Sequence, residues 1–252
     1  MMYNSNEFSG KRILITGAAV GIGKETAIQL SKMGALLILV DLDKDELTKT
    51  ATLLSHEKHI QIPFDMGNVD EIDTRIKEII KLSGPVDGLV HCVGIRSRRP
   101  LSMLSPKILS DVMRINFVSF IEMIRCLTKK NHYNNGFSVV GVSSISSQRG
   151  GPSVTAYAAS KAAMDGAVRC LAKELAPKKI RLNTVVPAQI NTPAYANLAL
   201  LNADTEDATL SRQYLGLGNP IDVTNAIIFL LSTHSSFISG SAIPVDGGFL
   251  SS

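Results

Sequence analysis

This chain of 252 residues has few cysteines and no long apolar run. Both shortages narrow the classes of protein to which it can belong. It has three cysteines, Cys92, Cys126 and Cys170, and none stands in a CxxC or other metal-ligand spacing. That pattern argues against a disulfide framework and a zinc site, so we expect no metal and a reducing, cytoplasmic location. No apolar run approaches the ~20 residues needed to cross a bilayer. The segment Met1–Arg12 also lacks the apolar core of a signal peptide, so no membrane association is expected.

Charge is neither abundant nor clustered. Asp, Glu, Lys and Arg make up 19% of the residues, the net charge is +4, and the basic residues are scattered along the chain. A nucleic-acid partner is therefore not indicated. The hydrophobic share of 45% is ordinary for a globular protein, and the length allows a sizeable core.

Apolar segments alternate regularly with helical patterns. Runs without polar alternation predict strands covered on both faces, and these lie at residues 12–16, 35–40, 60–64, 88–93, 137–143, 180–186 and 242–245. Helices are predicted at residues 22–33, 43–56, 71–82, 106–130, 155–176 and 222–231. The alternation indicates an α/β fold, a doubly wound parallel sheet of about seven strands flanked by helices in three layers. Ligands of such a sheet bind outside the carboxyl ends of its strands.

A glycine-rich turn joins the first predicted strand to the first helix. It reads Thr16-Gly17-Ala18-Ala19-Val20-Gly21-Ile22-Gly23. Three glycines here allow a tight turn and the close approach of a pyrophosphate, which the N–H groups at the helix N-terminus can bind. An ordinary strand-to-helix loop is the alternative, because the spacing differs from the commoner Gly-x-Gly-x-x-Gly pattern.

Asp41 ends the second predicted strand, one helix and one strand after Gly23. A carboxylate there can accept hydrogen bonds from both hydroxyls of an adenosine ribose, and it would repel a 2′-phosphate. Neither Val20 nor Leu42 supplies a basic group that could neutralise such a phosphate. We therefore expect NAD in preference to NADP. The alternative role for Asp41 is the N-cap of the next helix.

A phenol and an ammonium stand four residues apart in Tyr157-Ala158-Ala159-Ser160-Lys161. On a helix this spacing places them on one face, one turn apart. The pKa of a free phenol is about 10, and the charge of Lys161 is expected to lower it. Tyr157 could then give a proton to a carbonyl or take one from an alcohol. Taken alone, the pair is also consistent with an exposed helix turn.

The two motifs together resemble the short-chain dehydrogenase/reductase family. The likeness runs from about Lys11 to the ending Val245-Asp246-Gly247-Gly248. It implies a single NAD(P)-binding domain of Rossmann type over residues 1–252. It also implies an oxidoreductase that moves a hydride between nicotinamide and a ketone or secondary alcohol, with Tyr157 as the general acid and base.

The resemblance completes a set of four catalytic residues, Asn116, Ser144, Tyr157 and Lys161. In the family a serine stands at a fixed interval before the tyrosine, and that interval selects Ser144, although the adjacent Ser143 is an obvious alternative. Ser144 would stabilise charge on the reacting oxygen. The resemblance implies that Lys161 also binds the nicotinamide ribose and that Asn116, on the preceding long helix, connects Lys161 to solvent.

The resemblance also assigns the cofactor contacts. They are Gly17, Val20, Gly21, Ile22, Gly23, Asp41, Leu42, Asp65, Met66, Cys92, Gly94, Tyr157, Lys161, Pro187, Ile190 and Thr192. One departure follows the fourth strand, where His91-Cys92-Val93-Gly94 replaces the family's Asn-Asn-Ala-Gly and removes two amides that brace the sheet. We expect Cys92 to be buried filler and His91 to make a local hydrogen bond.

The substrate is not named by the sequence. Residues 193–215 resemble the family's substrate lid. The basic residues Arg96, Arg98 and Arg99, with Gln148 and Arg149, are expected near the pocket. There they could meet an acidic group, such as a phosphopantetheine carrier or a nucleotide-sugar, or form a solvated loop.

Several functional alternatives stay open. Whole-chain similarity favours members that resemble 3-oxoacyl-(acyl-carrier-protein) reductase. The acidic carrier of their acyl-thioester substrate could contact Lys129, Lys130, Lys178 and Lys179. The expected preference for NAD counts against this interpretation. The alternatives are a dehydrogenase of a sugar, polyol or cyclic alcohol, and a non-catalytic nucleotide-binding regulator. A sugar-nucleotide epimerase is disfavoured, because little chain remains after the seventh strand for a sugar-binding domain. The resemblance further implies a homotetramer or homodimer.

Overall fold

The computed structural model describes residues 7–56, 58–196 and 210–251. Seven strands in this part of the chain form one sheet: β1 (Arg12–Thr16), β2 (Leu36–Asp41), β3 (Ile60–Pro63), β4 (Val86–His91), β5 (Tyr133–Val142), β6 (Arg181–Pro187) and β7 (Ala242–Val245). All neighbours are parallel and the order is β3-β2-β1-β4-β5-β6-β7. The predicted fold is therefore confirmed, with the switch in strand order between β1 and β4.

Helices cover both faces of the sheet. They are α1 (Gly21–Lys32), α2 (Lys44–Ala51), α3 (Ile72–Ser83), α4 (Pro106–Met113), α5 (Ser119–Leu127), α6 (Thr155–Leu175) and α7 (Pro220–Leu231). Along β1, Leu14 joins a buried cluster with α3, α5 and α6, whereas Ile13 and Ile15 join a second cluster with α1 and α7. Alternate residues of a strand point to opposite faces, so a strand with helices on both sides has to be apolar throughout.

The predicted helix 106–130 is interrupted. Residues Arg114–Val118 form a π-helical turn between α4 and α5, and this turn contains Asn116. Such turns insert one extra residue per turn and are frequent at functional sites. The sequence prediction of one continuous helix is wrong at this point.

Two other element boundaries differ for local reasons. Helix α2 ends at Ala51 rather than at residue 56, because the backbone N–H of Ser55 donates to Ser31 Oγ at 2.7 Å instead of continuing the helix. Strand β5 begins at Tyr133 rather than at residue 137, because Tyr133 pairs with Val86 across a register shift. Among the helices that the structure describes, none is long and apolar enough to cross a membrane.

Candidate active site

The glycine-rich turn forms an open cradle at the carboxyl end of β1. Gly17 adopts a left-handed φ of +71°, and its N–H donates to Val40 O at 2.8 Å. A Cβ on Gly23 would lie 2.0 Å from Gly17 O, so a side chain cannot be accommodated there. Helix α1 then begins at Gly21 without a side-chain cap. Its first N–H groups can therefore bind a phosphate.

Asp41 is directed to this turn and not to the next helix. Its Oδ2 accepts from Ala19 N at 2.9 Å, and its Oδ1 accepts from Asp43 N at 3.1 Å. The N-cap of α2 is Asp43, which accepts from the N–H groups of Asp45 and Glu46. The alternative that Asp41 caps α2 is therefore wrong. Val20 and Leu42, which flank this region, are exposed apolar side chains, 44% and 68% accessible.

Three other residues expected to contact the cofactor follow the carboxyl ends of β3 and β4. They are Asp65, Met66 and Cys92. Asp65 Oδ1 accepts from Gly67 N at 2.7 Å, whereas the Met66 side chain is buried in the core. The backbone of Cys92 lies against Gly17, because a Cβ added to that glycine would be 3.0 Å from Cys92 C. Burial raises the pKa of the Cys92 thiol to about 12, which makes it unreactive at neutral pH.

A cleft of about 680 Å³ opens next to the cradle, where β4, β5 and β6 end. Several residues expected to contact the cofactor line it: Ile22, Gly94, Tyr157, Pro187, Ile190 and Thr192. The cleft therefore continues the path from the phosphate cradle to the candidate catalytic tyrosine. The cradle, the uncapped helix and the carboxylate of Asp41 fit a dinucleotide.

Ser144 and Ser143 have different surroundings. The side chain of Ser144 is near enough to the phenol of Tyr157 to act against the rise of that phenol's pKa, and it accepts from Ser146 N at 3.2 Å. Ser143 is buried, and its Oγ donates to Lys161 O at 3.4 Å. Ser144 is therefore the serine whose hydroxyl meets the tyrosine, which agrees with the interval between them in the sequence.

The expectation that Lys161 lowers the pKa of Tyr157 is wrong for this structure. Burial raises the pKa of Tyr157 above its usual value, and the Ser144 hydroxyl and the charge of Arg96 oppose that shift without reversing it. Lys161 Nζ lies 5.9 Å from the centroid of the Tyr157 ring, and its presence there does not reverse the effect of burial.

Lys161 is a buried ammonium whose side chain reaches the end of β5. It is 3% exposed, and its Nζ donates to Val142 O at 2.7 Å. Burial lowers the pKa of Lys161 to about 8, although Cys92 and Asp165 shift that pKa upward. Lys161 is thus mostly charged at neutral pH and loses its charge as the pH rises above about 8.

Asn116 is held by the chain that follows β4. Its Oδ1 accepts from Ile95 N at 2.8 Å, and its Nδ2 donates to Ile95 O at 3.0 Å and to Ser160 Oγ at 2.9 Å. Ser160 Oγ in turn donates to Tyr157 O at 2.7 Å. The absent Cβ of Gly94 would lie 3.2 Å from Lys161 Nζ and 3.5 Å from Asn116 Oδ1, so this glycine leaves room where the two side chains approach.

His91 braces the sheet from a fully buried position. Its Nδ1 lies 2.9 Å from Thr16 Oγ1, and its Nε2 lies 3.4 Å from Ser119 Oγ. Burial lowers the pKa of His91 to about 3, and the charge of Lys161 adds to this shift. A neutral imidazole therefore links β1 to α5, which is the local hydrogen bonding expected from the sequence.

Sequence reasoning missed a buried carboxylate near Lys161. Asp165 is 6% exposed; its Oδ1 accepts from Thr184 Oγ1 at 2.7 Å, whereas its Oδ2 has no hydrogen-bond partner. The spacing of four residues between Lys161 and Asp165 is the signal that could have found it. Ser160, which joins Asn116 to the tyrosine turn, was also missed.

The basic residues expected near the pocket divide into two groups. Arg96, Arg98 and Arg149 line the cleft, whereas Arg99 and Gln148 are not among its described lining residues. Arg212, from the predicted lid, joins the lining, but residues 197–209 of that lid lie outside the described residues. No group of three His, Cys, Asp or Glu side chains that could hold a metal ion occurs in the described ranges.

Comparisons with known proteins agree with this geometry. A family model described as enoyl-(acyl carrier protein) reductase matches residues 17–250. The 3-oxoacyl-(acyl-carrier-protein) reductase FabG of Thermotoga maritima is 34% identical over 96% of this chain and 98% of that protein. The 5-keto-D-gluconate 5-reductase of Escherichia coli is 32% identical over 96% of each chain. A solved short-chain dehydrogenase/reductase of Brucella melitensis, titled glucose/ribitol dehydrogenase, has a TM-score of 0.89 at 31% identity over 98% of this chain and 99% of that one.

These matches span nearly the whole chain and confirm the resemblance inferred from the two motifs. The names of these relatives describe oxidoreductases. In this chain the seven-stranded sheet, the cradle and the cleft belong to one continuous fold. The chain belongs to the short-chain dehydrogenase/reductase family and is an NAD(P)-dependent oxidoreductase acting on CH–OH or keto groups.

Proposed function

We propose that Tyr157 is the general acid and base of this oxidoreductase, with Ser144, Lys161 and Asn116 completing the catalytic set. The observation that carries the proposal is that Ser144 and Tyr157 line the same cleft, with the Ser144 hydroxyl near enough to the phenol to influence its pKa. Asn116 and Ser160 fix the turn of α6 that bears Tyr157, and Lys161 lies one turn further along the same helix.

Each residue has a distinct part in the reaction. When bound, the nicotinamide supplies or accepts the hydride. In reduction, Tyr157 donates its phenolic proton to the carbonyl oxygen, and Ser144 Oγ donates a hydrogen bond to the same oxygen as charge develops there. The raised pKa of Tyr157 keeps the phenol protonated at neutral pH. A protonated phenol is the form that proton donation to a carbonyl requires.

We propose that the cofactor is NAD in preference to NADP. The carboxylate of Asp41 supports this, because it is fixed beside the cradle and would repel a 2′-phosphate. The exposed apolar side chains of Val20 and Leu42 offer no compensating positive charge.

Titrating the protein with NADH and with NADPH tests this preference. We expect tighter binding of NADH, and Asp41→Asn is expected to narrow the difference because it removes the repulsion. Asp45→Asn is a matched control on the exposed start of α2. Tighter binding of NADPH by the wild type would contradict the assignment of Asp41.

For the substrate we propose two candidate classes. One class is a 3-oxoacyl thioester, which the name of the Thermotoga maritima relative gives as that protein's substrate. The other class is a sugar, polyol or cyclic alcohol, or the corresponding ketone, and the name of the Escherichia coli relative favours it. For an acidic carrier, Lys130, Lys178 and Lys179 remain candidate contacts, whereas Lys129 is already ion-paired with Asp73.

A cofactor-coupled screen over 3-oxoacyl thioesters, cyclic ketones, polyols and sugars tests the proposed reaction. We expect turnover of at least one class. If every class fails while NADH still binds, the catalytic proposal is wrong and a nucleotide-binding regulator is the better description.

We also propose that residues 193–215 form a substrate lid and that the protein forms a homotetramer or homodimer. Ala194, Tyr195 and Arg212, from the described ends of that segment, line the cleft and support a lid. A cytoplasmic location is proposed from the three cysteines, which are all free thiols.

A further inference from the structure

The inner face of α6 buries two side chains of opposite charge. Lys161 and Asp165 are both buried, and their spacing of four residues places them on one face of the helix, one turn apart. Among the buried residues that the structure describes they are the only lysine and the only aspartate, and no arginine or glutamate is buried with them. Lysine and aspartate are rarely buried unless they are paired, so their presence on adjacent turns indicates a functional relation.

Asp165 is fixed in place, but only one of its two oxygens is hydrogen-bonded. Its Oδ1 accepts from Thr184 Oγ1 at 2.7 Å, whereas its Oδ2 is buried with no hydrogen-bond partner. Thr184 lies in β6 between Gly141 of β5 and Ala242 of β7, so the hydroxyl that holds the carboxylate belongs to an interior strand. Within the described residues the hydrogen bonds of this carboxylate include no cation, and its charge therefore acts on its surroundings at longer range.

The ammonium of Lys161 bonds to the sheet and not to Asp165. Its Nζ donates to Val142 O at 2.7 Å, at the end of β5. Burial lowers the pKa of Lys161 to about 8, and Cys92 and Asp165 act in the opposite direction. The pKa of the Cys92 thiol is itself about 12, so this thiol is uncharged at the pH where Lys161 titrates. The negative charge that acts on Lys161 at that pH is therefore the charge of Asp165.

The other titratable groups around Lys161 in the described chain supply no negative charge at that pH. They come from the end of β4, from α6 and from the chain after β4: His91, Tyr157 and Arg96. The first two are neutral, because burial lowers the pKa of the imidazole to about 3 and raises that of the phenol, and the third is a cation. The π-helical turn adds the neutral Asn116, and α4 adds Lys107 and Asp111, an exposed ion pair.

We propose that Asp165 is a positioning residue, whose buried carboxylate keeps Lys161 in its ammonium form at the active site up to mildly alkaline pH. This inference rests on the proposed hydride-transfer function, in which Lys161 belongs to the catalytic set. Asp165 is not among the described lining residues of the cleft, so it acts through Lys161 and not on substrate or cofactor. A buried carboxylate suits this role, because water and salt screen its field less than they screen a surface charge.

The test removes the charge of Asp165 and its hydrogen bond separately. Asp165→Asn has the same shape and retains an oxygen that can accept from Thr184, but it carries no charge. Thr184→Val retains the charge and removes the hydroxyl that holds it. Glu174→Gln removes an exposed negative charge from the same helix, more than two turns beyond Asp165, and controls for net charge.

The ionisation of Lys161 is measured directly in the cofactor-free protein. NMR of the protein with ¹³Cε-labelled lysine follows each ammonium through its titration, and the signal that is missing from Lys161→Arg identifies Lys161. We expect the wild-type midpoint at about pH 8. In Asp165→Asn the midpoint should fall by about one pH unit, the lower end of the range for a nearby opposite charge. Thr184→Val and Glu174→Gln should keep the wild-type midpoint.

A carboxylate that only ties α6 to β6 would give a different result. Asp165→Asn and Thr184→Val would then change the denaturation midpoint and leave the titration of Lys161 as it is in the wild type, which overturns the inference. Asp165→Ala is a second neutral variant for this comparison, since alanine is favourable within a helix and needs no hydrogen-bond partner. A shift in Glu174→Gln as large as that in Asp165→Asn also overturns it.

Kinetics connect this titration to the reaction. The pH dependence of kcat/KM is measured at saturating NADH with a ketone found in the substrate screen. Its alkaline limb should move to lower pH in Asp165→Asn, so the loss of kcat/KM against the wild type should grow with pH to about 10-fold, as a shift of one pH unit requires. A loss that is equal at every pH, together with an unshifted NMR midpoint, overturns the inference.

The two measurements separate this inference from the proposed function. A shifted NMR midpoint with an unmoved alkaline limb supports the action of Asp165 on Lys161 and contradicts the proposed part of Lys161 in catalysis. Absence of turnover in the wild type and in every variant contradicts the proposed function, and the NMR titration alone then decides the inference.

Discussion

At the scale of single residues, Tyr157 experiences opposing influences. Burial raises the pKa of its phenol, whereas the Ser144 hydroxyl and the charge of Arg96 act in the opposite direction. The nearby Lys161 is itself buried, and its own pKa is lowered to about 8. Both groups are therefore predominantly protonated at neutral pH, which is the state that proton donation requires.

The two adjacent serines offer a matched test of the site. Ser144→Ala should lower kcat for carbonyl reduction by about 100-fold, the loss typical of one donor to a developing oxyanion. Ser143→Ala should cost less than a few-fold, because the Ser143 hydroxyl makes only a long hydrogen bond to Lys161 O. NADH affinity, measured by fluorescence titration, should stay unchanged in both. Equal losses of kcat in the two variants would show that Ser144 is not the donor.

At this scale the sequence predicts which side chains lie close together, but it does not predict the direction in which their pKa values shift. The interval before Tyr157 selects Ser144, and the structure agrees because Ser143 turns inward. The sign of the Tyr157 pKa shift could not be predicted, because a spacing of four residues shows that Lys161 is near but not how far the phenol is withdrawn from water. Arg212 and Phe249 lie far from Arg149 in sequence, and only folding brings them together.

At the scale of elements, the carboxyl ends of β4 and α4 position side chains of the candidate active site. Strand β4 ends at His91, which ties β1 to α5 through Thr16 and Ser119. The π-helical turn after α4 carries Asn116 to the chain that follows β4. The strands were predictable because sheets covered on both faces require apolar runs. The π turn was not, because it depends on contacts of Asn116 with residues distant in sequence.

His91 is expected to make the fold acid-sensitive. Its pKa is about 3 in the folded protein and about 6.5 when unfolded, so between these values the unfolded chain binds the extra proton. The free energy of unfolding should therefore fall with falling pH, by about 1.4 kcal/mol per pH unit from this group. His91→Asn should show a shallower loss between pH 6.5 and 4.5 in denaturant titrations.

A second histidine, the half-buried His59, sets the baseline for that comparison. Burial lowers the pKa of His59 to about 4, so this residue contributes a slope of the same sign to the wild type and to the His91→Asn variant. Only the difference between the two chains reports on His91. Parallel pH profiles for both would contradict the role of His91 as a neutral brace.

At the scale of the whole molecule, one sheet brings together residues from distant parts of the chain. The cradle after β1, Asp41 at the end of β2, Tyr157 on α6 and the loop after β6 all lie at the carboxyl edge. Apolar side chains also lie on the outer surface near the site, with Leu109 at 39% and Val118 at 41% exposure. We expect these side chains to lie in the subunit interface of the proposed homotetramer or homodimer.

Oligomerisation can be tested by placing charge on that surface. Val118→Arg should shift the protein to a smaller assembly in sedimentation velocity, because a buried unpaired charge weakens an interface. Leu82→Arg, at an exposed position near the end of α3, is the control and should leave the assembly unchanged. An unchanged sedimentation coefficient for Val118→Arg would place the interface elsewhere.

The most direct test of the central claim compares wild type with Tyr157→Phe at saturating NADH, using a ketone found in the substrate screen. Removing only the phenolic oxygen should lower kcat by about 100-fold to 10,000-fold, the contribution of a general acid, while the Kd for NADH changes little. Turnover retained by Tyr157→Phe at equal NADH occupancy would contradict the assignment of Tyr157 as the proton donor.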